Sequence, residues 1–231
     1  MKVLSVIIAA YNEKATIKQA VSAVKKTPLR GLKKEIIIVD DGSTDGTCLI
    51  IKELAKKDKT IKTALKEKNT GKGSAIREGL KLATGNYIVF QDADLEYDPD
   101  DYPALLKPLL KGRADVVYGS RFKGGTRAFL LLNYIANKIL NAVTNILYNS
   151  TLTDMETCYK LFRSDVIKSL ELRSNGFEIE PEITAKILKK KYRIYEVPIT
   201  FYGRGYDEGK KIKARDGFIA LWTLLKHRFI D

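Results

Sequence analysis

Within the first 120 residues, short runs of β-branched and other apolar residues alternate with longer amphipathic stretches, which limits the chain to few folds. The apolar runs predict strands at 3–9, 35–40, 61–65, 86–91 and 115–118. The stretches between them predict helices at 13–26, 45–57, 73–83 and 99–110. Apolar strands that are linked by helices are typical of a buried parallel sheet. We therefore predict an α/β fold with a mostly parallel sheet that is flanked by helices.

Acidic residues follow three of the predicted strands at the point where each strand ends. They are Glu13 after the first strand, Asp40 and Asp41 after the second, and Asp92 and Asp94 after the fourth. In open α/β sheets, ligands bind outside the carboxyl ends of the strands, where loops and helix N-termini meet. The sequence therefore predicts a ligand site at this edge of the sheet.

Asp92 and Asp94 stand two residues apart at a strand end, where two carboxylates can bind a divalent cation that neutralises a diphosphate. His227 is the only histidine, and the only cysteines, Cys48 and Cys158, lie far apart. A metal would therefore be held by oxygen atoms, which favours Mg²⁺ or Mn²⁺ over Zn²⁺. The alternative is an acidic turn that caps the next helix, because an isolated Asp-x-Asp pattern is common.

Asp40 and Asp41 need a partner of their own. Adjacent carboxylates at a buried strand end repel each other unless they face a cation or accept hydrogen bonds from a ligand such as a base or a ribose. The residues that follow, Ser43 to Asp45, are explained more simply as N-cap candidates for the next helix.

The second half of the chain predicts a helix at 129–148, short helices at 165–170 and 182–190, a strand at 193–197 and an amphipathic C-terminal helix at 216–229. In the helix at 129–148, apolar residues recur at 132, 135, 136, 139, 140, 143, 146 and 147, and asparagines occupy the other face. Such a helix lies either in the core or in a membrane interface. No apolar run reaches about 18 residues, so we predict no transmembrane helix. The N-terminus lacks the regions of a signal peptide, which predicts a cytoplasmic protein.

The formal charge of +13 predicts an anionic partner: a phosphorylated small molecule, an anionic lipid or a nucleic acid. A charged, thermally adapted surface is the alternative. Because acidic strand ends repel phosphate and no aromatic reader motif is present, we predict no nucleic-acid partner. Residues 202–211 combine glycines with cations, which predicts either a mobile loop that orders on an anionic ligand or a basic linker.

Four motifs occur in the order and spacing of family 2 glycosyltransferases. They are SVIIAAYNE at 5–13, VDDGSTD at 39–45, NTGKG at 69–73 and DAD at 92–94. Within that family the chain resembles the polyprenyl-phosphate (dolichyl-phosphate) mannosyl- and glucosyltransferases over nearly its whole length. The resemblance implies a GT-A fold with a Rossmann-like sheet, a Mg²⁺ or Mn²⁺ cofactor and inversion at the anomeric carbon. One departure is Ala9-Ala10, where many relatives carry a proline before Tyr-Asn-Glu.

The resemblance also implies a role for each matching residue. The implied donor-binding residues are Ala10, Tyr11, Glu13, Asp40, Asp41, Asp92 and Ala93, and the turn at 69–73 would bring Lys72 near the donor as well. The implied metal ligands are Asp92, Asp94 and Glu96, with a solvent-exposed Glu96 as the alternative. Asp94, Arg121, Arg127, Arg204, Lys210 and Lys211 are the predicted catalytic residues, with the cations placed against phosphate. A surface salt bridge is the alternative for Arg121 and Arg127. Asp154 and Glu156 are predicted on the acceptor side.

Together these observations predict one GT-A catalytic domain over 1–231, with a nucleotide-sugar-binding half at 1–120 and an acceptor-binding half at 121–231. The predicted reaction moves mannose or glucose from a GDP- or UDP-hexose to polyprenyl phosphate. The protein would then be peripheral on the inner face of the cell membrane. The alternative acceptor is a saccharide hydroxyl, which would require a base, whereas an ionised lipid phosphate would not.

Overall fold

A computed structural model describes residues 1–128, 130–205, 211 and 214–230. Its centre is one seven-stranded sheet in the order β3-β2-β1-β4-β6-β5-β7. The strands are β1 Lys2–Ala10, β2 Leu32–Asp40, β3 Ile61–Leu65, β4 Tyr87–Asp92, β5 Val116–Ser120, β6 Lys160–Arg163 and β7 Ile194–Pro198. All neighbouring strands are parallel except β6, which runs antiparallel to both β4 and β5. The predicted α/β class with a mostly parallel sheet is confirmed.

Eight α-helices in the described residues surround this sheet. They are α1 Ile17–Lys26, α2 Thr47–Lys57, α3 Lys72–Leu82, α4 Tyr102–Leu110, α5 Leu131–Tyr148, α6 Ser164–Lys168, α7 Ile179–Lys189 and α8 Ala214–Phe229. A short 3₁₀ turn at Pro99–Asp101 precedes α4. Because helices cover both faces, the central strands are apolar on both sides, as the buried runs of β1, β2 and β4 show.

The close fit of helix to sheet is clearest at Gly79 on α3. A Cβ atom there would overlap the side chain of Ile7 on β1, so this helix can approach the sheet only with a glycine at that position.

Two differences from the sequence prediction have local causes. Helix α1 begins at Ile17 instead of residue 13, because Asn12 has a positive φ of 52° and the backbone N–H of Glu13 donates to Thr47 Oγ1 at 2.9 Å. The strand β6 was not predicted. It has only four residues, and its first is a lysine, so it shows neither the length nor the pattern of a buried strand.

The helix α5 turns its asparagine side toward the protein. Asn141 accepts a hydrogen bond from Met155 N at 2.7 Å, and Asn145 accepts one from Leu152 N at 2.9 Å. Part of the apolar face packs on α8 through Leu140 and Leu224. The rest is exposed, with values of 80% at Leu132, 55% at Ile139 and 82% at Ile146. Phe218 and Trp222 of α8 are also exposed. Among the described residues, no helix is long and apolar enough to cross a membrane.

Candidate active site

The loops after β1 and β2 are joined by hydrogen bonds at the carboxyl edge of the sheet. The backbone N–H of Asn12 donates to Ser43 Oγ at 2.9 Å, and Asn12 Oδ1 accepts from Thr44 N at 2.8 Å. Asp45 accepts from Thr47 N at 2.9 Å and from Lys14 N at 3.1 Å. Gly46 takes the N-cap position of α2, and Asp45 just before it accepts from the first N–H of the helix, whereas the contacts of Asn12 with Ser43 and Thr44 link the two loops.

The two adjacent carboxylates after β2 have different surroundings. Asp41 accepts from the backbone N–H of Gly71 at 2.7 Å and of Thr70 at 3.2 Å, and it pairs with Lys66 at 2.5 Å. It therefore holds the turn that precedes α3. Asp40 is buried, and its Oδ1 atom has no hydrogen-bond partner among the described residues. An orphaned buried acceptor of this kind is suited to an N–H group of a ligand.

Asp92, at the end of β4, is neutralised by a lysine that is itself part of a buried chain of charges. Lys72 Nζ lies 2.9 Å from Asp92 Oδ1 and 3.5 Å from Glu180 Oε1. Glu180 also pairs with Lys160, which is fully buried. Burial lowers the pKa of Lys72, but the charges of Asp92 and Glu180 outweigh it, so the pKa lies well above its usual value. Lys72 therefore stays cationic beside Asp92.

The remaining acidic residues of this edge surround a guanidinium group. Arg204 Nη2 donates to Asp94 Oδ2 at 2.8 Å, and Arg204 Nε donates to Glu96 Oε1 at 3.3 Å. Glu13 Oε1 lies 3.8 Å from the same guanidinium and 2.6 Å from Lys211 Nζ. Lys211 also donates to the backbone carbonyl of Tyr11 at 2.5 Å. The structure thus brings predicted donor, metal and catalytic residues together, although they are up to about 200 residues apart in sequence.

Burial and, after it, the charges of Asp92 and Glu96 raise the pKa of Asp94 to about 7, against the opposing charge of Arg204. One guanidinium therefore does not fully offset these carboxylates. A cation of higher charge would favour the ionised form of Asp94.

The donor set suits a hard divalent cation, since Asp92, Asp94 and Glu96 supply only carboxylate oxygens. Asp94 and Glu96 already share one cationic group, which stands in for such an ion. Asp92 is turned to Lys72 instead. Accordingly, no group of three or more acidic, histidine or cysteine residues in the described part of the chain is arranged to hold a metal. The three predicted ligands share this edge but do not form a ready-made cage.

Arg121, predicted to contact phosphate, lies in a second polar cluster. Its Nε and Nη2 atoms donate to the two oxygens of Asp154 at 2.8 and 2.7 Å, and its backbone N–H donates to the same carboxylate at 2.9 Å. Asp154 is 0% exposed, so it orients Arg121 and does not itself reach solvent. Arg127 is exposed, and its Nη1 atom donates to the carbonyl of Gly203 at 3.3 Å. Lys210 lies outside the described residues.

Glu156, the other predicted acceptor-side residue, has a buried Oε1 atom with no hydrogen-bond partner in the described ranges. Burial is the largest cause that raises the pKa of Glu156 to about 7. The charge of Lys160 lowers this pKa, and the charge of Glu180 raises it. Ala10 and Ala93 are buried beside the strand-end carboxylates, where a larger side chain would fill space near the ligand edge.

Lys66, Lys160 and Glu180 were not among the predicted site residues. Lys160 interrupts the apolar stretch Tyr159 to Phe162, and a charge in such a stretch was the available signal. Glu180 lies in an acidic segment with Glu178 and Glu182, so it offered no such signal. Lys66 follows a predicted strand, as the identified acids do.

A sequence profile of glycosyl transferase family 2 matches residues 5–171, which is well over half of the chain. The chain belongs to glycosyl transferase family 2. The predicted family is confirmed, and this transferase also resembles individual members along most of its length.

The transferase is 34% identical over 215 residues to a dolichol-phosphate mannosyltransferase of Pyrococcus furiosus, covering 91% of this chain and 59% of that protein. It is 30% identical over 196 residues to the glycosyltransferase AglJ of Haloferax volcanii, covering 84% of this chain and 61% of that one. The transferase thus spans about three-fifths of the length of these two relatives.

Among solved structures, the transferase resembles the glucosyl-3-phosphoglycerate synthase of Mycobacterium tuberculosis in complex with Mn²⁺, UDP and glucosyl-3-phosphoglycerate. The TM-score is 0.76 at 22% identity, and the match covers 100% of this chain and 81% of the other. The likeness confirms the GT-A fold.

Proposed function

We propose that this family 2 glycosyltransferase moves a hexose, mannose or glucose, from a GDP- or UDP-hexose to polyprenyl phosphate, with inversion at the anomeric carbon. The observation that carries the proposal is the set of carboxylates at the end of β4, faced by Lys72 and Arg204, with the Glu13–Lys211 pair beside them. The relative from P. furiosus, named as a dolichol-phosphate mannosyltransferase, supports the acceptor.

The donor would lie along the edge formed by β1, β2 and β4. The orphaned Oδ1 atom of Asp40 is suited to accept an N–H from the base, and Asp41 keeps the adjacent turn in place. Asp92, Asp94 and Glu96 are the residues that would hold Mg²⁺ or Mn²⁺, which would neutralise charge on the diphosphate. The complexes of the mycobacterial synthase with Mn²⁺ or Mg²⁺ and UDP support this choice of cofactor.

The transfer itself requires no base when the acceptor is a phosphate. An ionised phosphate oxygen forms the new bond to the anomeric carbon, the bond from that carbon to the diphosphate breaks, and the nucleoside diphosphate leaves with the electron pair. The protein then positions both substrates in line and stabilises the leaving diphosphate through Lys72, Arg204 and Lys211. Arg127 is exposed beside Gly203, where it can meet the acceptor phosphate.

The exposed apolar side chains of α5 and α8 support an acceptor that is embedded in a membrane. Ile139 and Trp222 are exposed on two helices that pack against each other, with cations such as Lys138 and Lys226 exposed on the same helices. Apolar residues flanked by cations are typical of helices that lie on an anionic membrane surface. We therefore place the protein on the inner face of the cell membrane as a peripheral enzyme.

Glu156 supports a second candidate, transfer to a saccharide hydroxyl. A hydroxyl acceptor must lose a proton, and a carboxylate whose pKa is raised to about 7 is suited to take it. The M. tuberculosis synthase, crystallised with phosphoglyceric acid, illustrates that this fold also serves acceptors other than lipids.

The test is a radiolabel transfer assay with purified protein, Mg²⁺ or Mn²⁺, a panel of labelled GDP- and UDP-hexoses, and a short polyprenyl phosphate. We expect label in the organic phase for one donor, and no transfer by the Asp94→Ala variant. Asp165→Ala is the matched control, because Asp165 is an exposed acid that pairs only with Arg163 outside the site. Donor hydrolysis without a lipid product would refute the lipid acceptor, and full activity of Asp94→Ala would refute the metal assignment.

A further inference from the structure

Arg204 occupies the centre of the carboxylates to which we assign the divalent cation. Its guanidinium bonds to Asp94 and Glu96 at 2.8 and 3.3 Å and lies 3.8 Å from Glu13. The side chains involved are mostly buried, so the contacts are only weakly screened by solvent.

The backbone fixes this placement. The N–H of Arg204 donates to Glu96 Oε1 at 2.8 Å, and the N–H of Tyr202 donates to the carbonyl of Glu96 at 2.9 Å. One residue further out, Phe201 forms an antiparallel bridge with Tyr97. The segment that carries Arg204 is therefore paired along the chain that carries the carboxylates, and its guanidinium is directed into them.

A divalent cation and this guanidinium cannot share the same oxygens. The Nη2 contact uses Asp94 Oδ2 and the Nε contact uses Glu96 Oε1, so the guanidinium occupies one oxygen of each carboxylate that would hold the cation. Two like charges within a few ångströms in a site of low polarity repel strongly. A cation held by Asp94 and Glu96 would therefore compete with the Arg204 side chain for these carboxylates.

We propose that Arg204 is a resident counter-cation that competes with the divalent metal for Asp94 and Glu96. The inference rests on the proposed metal-dependent function. It adds that Arg204 pairs first with carboxylates and then with the diphosphate. Without ligands, Arg204 partly neutralises the acidic edge and reduces the mutual repulsion of its carboxylates. When the metal binds, the released guanidinium pairs with the diphosphate that arrives with it. Arginine is suited to both partners, because its planar fork matches carboxylate and phosphate alike.

The proposal predicts that metal binding and nucleotide binding are coupled through Arg204, and that removing this residue increases the affinity for the metal alone. Arg204 weakens metal binding in the absence of nucleotide, because the metal must first displace it. A nucleoside diphosphate gives Arg204 another anion and so strengthens metal binding. Replacing Arg204 with alanine should therefore tighten binding of the metal alone and reduce the strengthening by nucleotide, whereas loss of a cation that does not contact Asp94 or Glu96 would change binding of the metal alone much less.

The experiment measures Mn²⁺ binding by the electron paramagnetic resonance signal of free Mn²⁺, with and without GDP or UDP. We expect Arg204→Ala to bind Mn²⁺ about 5- to 10-fold more tightly than the unaltered protein without nucleotide, and the nucleotide effect to fall by a similar factor. Lys211→Ala is the matched control, because Lys211 pairs with Glu13 but contacts neither Asp94 nor Glu96. It should change Mn²⁺ affinity without nucleotide less than about 2-fold.

Equal or weaker Mn²⁺ binding by Arg204→Ala would overturn the competition while leaving the transferase function in place. If none of the proteins binds Mn²⁺ or Mg²⁺ under either condition, the metal assignment itself fails, and the competition fails with it. Mn²⁺ binding by Arg204→Gln is a second measurement with a variant that keeps most of the side-chain volume. Circular dichroism of each variant checks that the fold is retained.

Discussion

We expect the Asp154→Asn substitution to destabilise the protein because it leaves the buried guanidinium of Arg121 without its counter-charge. Asp154 accepts three hydrogen bonds from Arg121, two from the side chain and one from the backbone. Asparagine has nearly the same shape and keeps one oxygen acceptor. The substitution therefore removes the charge and leaves the packing largely unchanged.

The expected loss follows from the burial of the pair. Removing one partner of a buried ion pair costs about 3–5 kcal/mol, and the acceptor that asparagine retains places Asp154→Asn near the lower end, at about 3 kcal/mol. An unfolding entropy of about 2.1 cal/mol/K per residue gives roughly 0.5 kcal/mol/K for 231 residues. The melting temperature should therefore fall by about 6 °C.

The assay is urea unfolding followed by circular dichroism, with thermal melting as a second measurement. Asp165→Asn is the control, because Asp165 pairs with Arg163 on the surface, where an ion pair contributes at most about 1 kcal/mol. Replacing the pair together, as Arg121→Met with Asp154→Leu, should recover much of the stability, since apolar side chains leave no unpaired charge. A loss by Asp154→Asn no larger than that of the control would refute the reasoning.

Two further predictions concern the exposed apolar side chains of α5 and the dependence of stability on acidic pH. Ile139→Asp should lower co-sedimentation with anionic vesicles by several-fold, while Leu49→Asp, at an equally exposed apolar position on α2, should not; equal effects would contradict docking through α5. The hydrogen bonds of Arg193 lower the pKa of Asp115 to about 2, below its unfolded value near 4, so its contribution to stability is present above about pH 4 and lost as the pH falls toward 2. Asp115→Asn should therefore reduce the urea midpoint at pH 6 and converge with the unaltered protein near pH 2, and a gap that stays constant over this range would show that the Arg193 pairing is not responsible.

The parts of the molecule that the sequence predicted are those set by local pattern. The strands β1, β2 and β4 each show an apolar run that ends in polar residues, and the rule that parallel strands end at one edge brings Glu13, Asp40 and Asp94 to one site. The pairing of these acids is decided by segments far along the chain. Arg204 and Glu180 meet the edge only after β6 and α7 are in place, and no local periodicity encodes such contacts.

The sequence could not predict that the asparagines of α5 face the protein, and the reason is different. The hydrophobic pattern identifies an amphipathic helix but does not state which face meets the protein. Here the segment from Leu152 to Met155 offers backbone groups that need partners, and the asparagine amides satisfy them. The need of these backbone groups for hydrogen-bond partners is known only once the loop is placed beside the helix.

The position of β6 has a consequence for how the chain folds during synthesis. In the finished sheet, β5 pairs only with β6 and β7, which are made 40 or more residues later, whereas β1 to β4 pair among themselves apart from the outer edge of β4. The first 92 residues can therefore assemble as they emerge, but β5 must wait for Lys160–Arg163 and Ile194–Pro198. Cutting the chain near residue 120 would separate the predicted donor-side residues from the predicted acceptor-side residues. It would also leave β5 without a strand to pair with. We therefore expect residues 1–120 and 121–231 to fold together, and a fragment ending at residue 120 to expose β5 and aggregate.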